Sequence, residues 1–136
     1  MASSLNYGMP DVTVQWFLNT TDLAANTDQE LVCPCDGYIK EIRAIVQAAV
    51  TTGGTIQVKT GAALATTVAG AVITVGDAAT KGTTYVATAT AGSATRKVSK
   101  GDRIGLDLTS FATAGALQGS LIIESADNYK QPGYSA

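Results

Sequence analysis

Apolar and polar side chains alternate most regularly near the end of the chain. From Arg103 to Leu108, the apolar residues Ile104, Leu106 and Leu108 occupy every second position. A period of two is typical of a β-strand with one buried face. The preceding Lys100-Gly101-Asp102 predicts a turn, because glycine accommodates a positive φ there. We therefore expect a strand over 103–108 that turns its three apolar side chains inward.

Shorter runs of β-branched and apolar residues, separated by Gly, Asp and Pro, recur along the whole chain and predict further strands. The predicted strands are Val12–Leu18 (a short strand or a docking arm), Gln29–Val32, a strand from Tyr38 to Val46 with a bulge near Lys40–Glu41, Ile56–Val58, Ala71–Val75, Thr83–Thr90, Arg103–Leu108 and Leu117–Glu124. The predicted connections are a turn at Pro34 to Gly37, a hairpin at Thr51–Gly54, an irregular segment at Ala62–Ala69, a turn at Gly76–Asp77 and a single helical turn at Ala78–Lys81.

About eight short strands at this spacing indicate an all-β chain, a single-domain β-sandwich or jelly-roll-like barrel, rather than an α/β fold. The predicted organisation is an N-terminal arm over residues 1–20, a β-sandwich over 21–126 and a C-terminal tail over 127–136. A chain of 136 residues has the size of one ordinary domain.

The composition argues against an enzyme. The chain has no histidine, so it lacks the commonest general base and metal ligand. Asp77, Asp102 and Asp107 are candidate acids of the kind that trimeric β-fold nucleotide hydrolases use, but they lie in turns or on an outward strand face and belong to no recognisable catalytic motif. The glycine-rich stretches lack the Lys-Ser/Thr ending of a P-loop. We therefore expect no catalysis and no cofactor.

Cys33 and Cys35 are the only cysteines. A disulfide across so short a loop would be strained, and a closed zinc site needs four ligands. We expect two free thiols and no metal site, which agrees with synthesis in a cytoplasm. No secretory signal peptide is expected in Met1 to Asp11, and no window is long enough and apolar enough to cross a membrane.

Charge is distributed unevenly, although the net charge is only −2. The acids Asp11, Asp22, Asp28, Glu30 and Asp36 precede the first base, and a basic zone follows later with Lys81, Arg96, Lys97, Lys100 and Arg103. One interpretation is a solvated surface with scattered charge. The other is that the acidic leader of one subunit docks on the basic zone of a neighbour, with Arg96 and Lys97 at the subunit interface. Five bases without interleaved aromatics do not predict nucleic-acid binding.

Two stretches carry a resemblance to a known family. They are Leu31-Val32-Cys33-Pro34-Cys35-Asp36-Gly37-Tyr38-Ile39 and Val98-Ser99-Lys100-Gly101-Asp102-Arg103-Ile104, with Gly/Thr-rich strands between them. Over roughly Gln29 to Asp127 the chain resembles the small decoration, or cement, proteins of tailed-bacteriophage capsids. The resemblance implies a homotrimeric β-sandwich, made in the host cytoplasm, whose terminal arms bind the major capsid protein on the outer surface of the virion and stabilise the assembled shell.

By the same resemblance, Tyr7, Trp16 and Phe17 would be the capsid-binding anchors of the N-terminal arm. The alternative for Trp16 and Phe17 is an ordinary place in the core. A second function also stays open: jelly-roll-like sandwiches serve as lectins, so the chain could be a carbohydrate- or receptor-binding module of a head fibre or tail. Tyr85, Tyr129 and Tyr134 are its candidate sugar platforms.

Overall fold

The computed structural model describes residues 11–112 and 115–126, and the regular secondary structure within them is almost entirely β-strand. The strands are β1 (Asp11–Leu18), β2 (Gln29–Val32), β3 (Gly37–Ala48), β4 (Thr55–Thr60), β5 (Thr66–Thr74), β6 (Thr84–Thr88), β7 (Lys97–Val98), β8 (Arg103–Thr109) and β9 (Ala116–Ser125). One short helix, α1 (Thr20–Ala25), follows β1, and a 3₁₀ turn spans Ala94–Arg96.

Two antiparallel sheets form the sandwich. The five-stranded sheet has the order β1-β9-β3-β6, with the two-residue β7 also paired to β3, and the four-stranded sheet has the order β2-β8-β4-β5. With β7 set aside, consecutive strands alternate between the sheets except β4 and β5, which are neighbours in the four-stranded sheet. This is the strand order of a jelly roll. The predicted fold class, an all-β sandwich of the jelly-roll type, is confirmed.

The core lies between the sheets and is built from alternating side chains. In β8 the three predicted residues Ile104, Leu106 and Leu108 are buried. They face the inward residues of the opposite sheet, among which Ile42 of β3 and Leu121 of β9 are fully buried register partners. The predicted bulge is also present, since the pairing of β3 with β9 shifts between Ile39 and Glu41. The strict alternation in the sequence therefore gave the correct inward face.

Several local predictions are wrong. Thr51–Gly54 is not a hairpin, because it connects β3 of one sheet to β4 of the other. Ala78–Lys81 forms turns and an isolated bridge rather than a helical turn. The irregular segment ends early, since β5 begins at Thr66.

Strand β5 contains a long bulge that hides its strand character in the sequence. The register with β4 shifts between Gln57 and Lys59, and Gly70 has a φ of +81°. The side-chain amide of Gln57 donates to the carbonyl oxygens of Val68 (3.0 Å) and Ala71 (3.1 Å). These bonds satisfy backbone acceptors that the bulge removes from the ladder.

The predicted N-terminal arm over residues 1–20 needs correction. Asp11–Leu18 pairs with β9 along its whole length, and α1 begins at Thr20 with a capping box between Asn19 and Asp22. Residues 11–20 therefore belong to the folded sandwich. The remainder of that arm, residues 1–10, and the predicted tail over 127–136 lie outside the described residues.

Candidate interaction surfaces

Trp16 and Phe17 point to opposite faces of the five-stranded sheet, because neighbours in a strand alternate. Trp16 is 4% exposed and packs over Gly119 of β9, so the core interpretation is right for Trp16 and it offers no surface to a partner. Phe17 is 52% exposed and faces outward, where it remains a candidate anchor. Tyr7, the third predicted anchor, lies outside the described residues.

The two ends of the described chain meet at one end of the five-stranded sheet. Asp11 is the register partner of Glu124 in β9, and the following Ser125 is paired with Gly37 of β3. The segments before Asp11 and after Ala126 therefore join the sandwich side by side. Lys40 lies at the same end, where its Nζ is 3.0 Å from Asp11 Oδ2. This contact raises the pKa of the Lys40 ammonium, first through the hydrogen bond and then through the charge of the carboxylate.

Arg96 is used inside its own subunit. Its side chain is 15% exposed, Nη2 donates to Glu124 Oε1 at 2.6 Å, and Nε donates to the carbonyl oxygen of Ile39 at 2.8 Å. The guanidinium also lies 5.6 Å from the centroid of the Tyr38 ring, within the range of a cation–π contact. Arg96 therefore fastens the 3₁₀ turn to β3 and β9. Lys97 is exposed, and its place at a subunit interface stays a prediction.

The acidic leader also finds partners within the same chain. Glu30 lies 3.0 Å from Arg103 across β2 and β8, and Asp36 accepts a hydrogen bond from the Lys100 backbone N–H at 2.7 Å. Asp28 accepts from the Leu108 N–H at 3.1 Å. The first contact joins an acidic and a basic side chain inside one subunit, and the other two pair acids with backbone N–H groups. They weaken the hypothesis that the same charges hold two subunits together.

Both cysteines are buried free thiols, as predicted. Cys33 Sγ donates to the carbonyl oxygen of Cys35 at 2.9 Å. Burial raises the pKa of the Cys33 thiol above its ordinary value of 9.0, so the unreactive protonated form prevails at neutral pH. Within residues 11–112 and 115–126, no group of three or more His, Cys, Asp or Glu side chains could hold a metal ion. The described helices include none that is long and apolar enough to cross a membrane.

The three candidate acids have structural partners. Asp77 accepts from the Gly53 N–H at 2.8 Å, Asp102 accepts from the Ser99 N–H at 2.8 Å, and Asp107 lies 3.2 Å from Lys59 Nζ. The first joins two separate connections of the chain, and the second closes a turn, as short acidic side chains commonly do. The third pairs two outward residues of neighbouring strands. Their separate positions match the structural interpretation of these carboxylates.

A groove of about 510 Å³ crosses the outward face of the five-stranded sheet. We call it the sheet groove. Its polar side chains come from four strands: Gln15, Arg43, Gln47, Thr84, Gln118 and Ser120. Outward rows run across the strands in register, one being Phe17, Gln118, Ile45 and Thr84, and the next Gln15, Ser120, Arg43 and Val86. This surface could not be predicted from the sequence, because alternation shows which residues face outward but not which strands pair.

Of the predicted sugar platforms, Tyr85 is among the residues that line this groove. Tyr85 is half-buried and packs against the core, with its hydroxyl oxygen 3.3 Å from the Gly76 backbone nitrogen. Its part in binding a sugar stays a prediction. Tyr129 and Tyr134 lie outside the described part of the chain. The exposed large apolar side chains of the outward face are those of Phe17 (52%) and Val86 (60%) near the groove and Tyr38 (38%) at the Asp11/Glu124 end.

Comparison with known proteins gives little beyond the fold. Neither a protein-family model nor a curated protein sequence matches the chain. Among solved structures, the chain is similar to CsCBM6-3 from Clostridium stercorarium, a structure in complex with cellobiose, with a TM-score of 0.44 and 15% identity over 89% of this chain and 85% of that one. A likeness at this level carries no argument about the ligand of this chain.

Proposed function

We propose that this chain is a non-enzymatic structural protein of a tailed-phage virion, which binds the outside of the assembled capsid as a trimer and stabilises it. One structural observation supports the proposal. The segments before Asp11 and after Ala126 join the sandwich at the same end of one sheet. Both can therefore reach the same underlying surface while the body of the domain stands away from it.

The sequence resemblance supports the same assignment. Its first stretch, Leu31 to Ile39, runs from β2 into the start of β3, and its second, Val98 to Ile104, runs from β7 into β8. The structure brings them together: the Cys33 N–H donates to the Asp102 carbonyl oxygen and the Gly101 N–H donates to that of Cys33, each at 2.8 Å. The two stretches therefore form one connected corner of the fold.

The proposed mechanism is thermodynamic. A protein that binds the assembled shell but not its separated subunits stabilises the shell by mass action, by about 2.7 kcal/mol per site when its free concentration is 100 times Kd. Three linked copies would raise the effective affinity further, because the second and third contacts form within one complex. No chemical step is required of the domain.

The test is co-sedimentation with shells assembled from the major capsid protein of the same phage. We expect the full chain to sediment with shells and to raise their melting temperature, and deletion of residues 1–10, of residues 127–136 or of both to abolish attachment while circular dichroism still shows the fold. Phe17→Ala serves as a point variant on the candidate anchor, with Val32→Ala, an exposed apolar residue of the other sheet, as its matched control. Full attachment of the chain lacking both segments would refute the proposed contact.

The oligomeric state is tested separately by light scattering. A trimer of the 13.8 kDa chain has a mass of about 41 kDa. Because Arg96 is engaged within its own subunit, Lys97→Glu is the cleaner probe of an electrostatic subunit interface. A monomeric mass both in solution and on the shell would exclude the trimer.

A further inference from the structure

The side chains of the three glutamines of the sheet groove stabilise no other part of the described chain through hydrogen bonds. The side-chain amides of Gln15, Gln47 and Gln118 take no hydrogen-bond partner among residues 11–112 and 115–126, whereas that of Gln57 donates to three backbone carbonyls. Each free amide offers two donors and an acceptor. Placed together on one face, they form a set of hydrogen-bonding groups directed at solvent.

The charge of the groove is compensated locally. Arg43 Nε donates to Glu41 Oε2, two residues away on the same face of β3. The Arg43 side chain is nevertheless 58% exposed, so its other nitrogens can still donate. Arg43 is the one charged residue among those that line the groove, and Glu41 beside the groove balances its charge. The other polar lining groups are neutral donors and acceptors, which favours an uncharged hydroxyl-rich ligand over an anion such as a nucleic acid.

Apolar surface lies within and beside these polar groups. Ile45 is half-buried between Gln118 and Thr84 in one row, and Val86 lies beside Arg43 in the next. Phe17, on the edge strand β1, faces outward beside Gln118. Pockets that bind uncharged ligands combine an apolar lining with a few placed polar groups, and an exposed aromatic ring at the margin offers a flat face for the C–H side of a sugar.

We propose that the sheet groove binds a neutral polysaccharide chain. Gln15, Gln118 and Arg43 hydrogen-bond the sugar hydroxyls, and Phe17 packs against a sugar ring. At about 510 Å³ the groove has the volume of a small-ligand site. Because it is open across four strands, it suits a segment of a longer chain better than an enclosed monosaccharide. This activity goes beyond shell attachment, and it stands or falls independently.

The position of the groove allows both activities at once. The terminal segments join the sheet at the Asp11/Glu124 pair, and the groove lies toward the opposite end of β1 and β9, near the Leu18/Leu117 pair. Six register positions separate Asp11 from Phe17, which is about 20 Å along a strand. A domain held to a shell through its terminal segments would keep the groove accessible.

The experiment is a binding screen of the full chain against an array of neutral oligosaccharides (glucans, mannans and galactans of four to six sugars), with sulfated and sialylated glycans as charged comparisons. Hits are titrated while amide resonances are followed by NMR. We expect binding to a neutral oligosaccharide, with shifts confined to residues of the groove. The double variant Gln15→Ala/Gln118→Ala should weaken the affinity at least tenfold, and Phe17→Ala should weaken it severalfold.

Matched controls come from the outward face of the other sheet, where Thr74→Ala and Val32→Ala alter exposed side chains and should leave the affinity unchanged. All variants should keep the circular dichroism spectrum of the parent chain and attach to shells as the parent does. Loss of attachment by Phe17→Ala would place that ring against the shell and remove it from the glycan site. Three results would overturn the proposal: no neutral glycan binds, binding is restricted to anionic glycans, or the groove variants bind as well as the parent. A change in oligomer mass caused by the double variant would instead assign the groove to contact between copies of this chain.

Discussion

Replacing Trp16 by alanine tests whether this residue belongs to the core rather than to a capsid-binding surface. Trp16 is 4% exposed, and its ring covers Gly119 on the neighbouring strand. Truncating a large aromatic residue in a core costs about 3–5 kcal/mol, through lost burial and the cavity left behind. Because the site is central to β1 and β9, we expect a loss of fold stability rather than a selective loss of shell binding.

One feature of the site reduces this magnitude. The Trp16 Nε1 is buried and has no hydrogen-bond partner among the described residues, and an unpaired buried donor costs about 1–3 kcal/mol. Trp16→Ala removes that penalty together with the ring. The net loss is therefore about 2 kcal/mol, which corresponds to a fall in melting temperature of roughly 7 °C for a domain of this size.

The assay is urea and thermal denaturation followed by circular dichroism, since Trp16 is the only tryptophan and its fluorescence disappears in the variant. Trp16→Phe keeps an aromatic ring and removes the unpaired N–H, so it should cost about 1 kcal/mol or less. Phe17→Ala, at a half-exposed neighbouring position, should also stay within about 1 kcal/mol of the parent. A Trp16→Ala chain as stable as the parent, yet unable to bind shells, would refute the core argument and restore Trp16 as an anchor.

Three further predictions follow from the contacts. Arg96→Ala should lower the free energy of unfolding by about 2 kcal/mol, because charge-assisted hydrogen bonds to half-buried groups are lost, while Lys97→Ala should change it by less than about 0.5 kcal/mol; equal effects in denaturation curves would contradict the internal role of Arg96. Gly119→Ala should destabilise the fold by about 3 kcal/mol or more, since a Cβ there would overlap the Arg43 carbonyl oxygen and the Trp16 ring, and a melting temperature within 2 to 3 °C of the parent (roughly 1 kcal/mol) would show that the strands can separate locally. For Cys33 the thiol pKa is raised in the folded state, so the folded chain keeps the thiol proton at a pH where the unfolded chain has lost it. The free energy of unfolding should therefore fall as the pH rises above 9.0. In Cys33→Ala this fall should be shallower, and parallel pH profiles of the two chains would exclude this thiol as the cause.

The sequence predicted strands well where one face is buried and the other exposed. In β8 alternation was sufficient, because burial imposes a period of two. In β3 strict alternation is broken, and the β-branched residues together with the three-residue step indicated a strand with a bulge. The helix α1 was missed although its signal is present: Asn19 followed three residues later by Asp22 is a capping pair. Six residues are too few for a helical period to appear in the apolar pattern.

Which strands pair could not be predicted from the sequence, and the candidate sites depend on that pairing. Thr51–Gly54 resembles a hairpin turn locally, but nothing in those residues distinguishes a reversal within one sheet from a crossing to the other. The same limit hid the sheet groove, since Gln15 and Gln118 are distant in sequence and become neighbours only through the β1–β9 register. Arg96 was identified as a notable charge, but its partners Ile39 and Glu124 come from other strands.

The adjacency of the two chain ends determines how the domain responds to mechanical force. Asp11 and Glu124 are opposite each other in antiparallel strands, and the pairing continues through eight positions to Leu18 and Leu117. Tension applied between the two terminal segments would act on the first pair alone and open the ladder one position at a time, whereas tension along the strands would load all eight pairs together. If both segments are held by subunits that move apart, β1 is peeled from β9 at low force, which uncovers Trp16 while the other sheet stays intact.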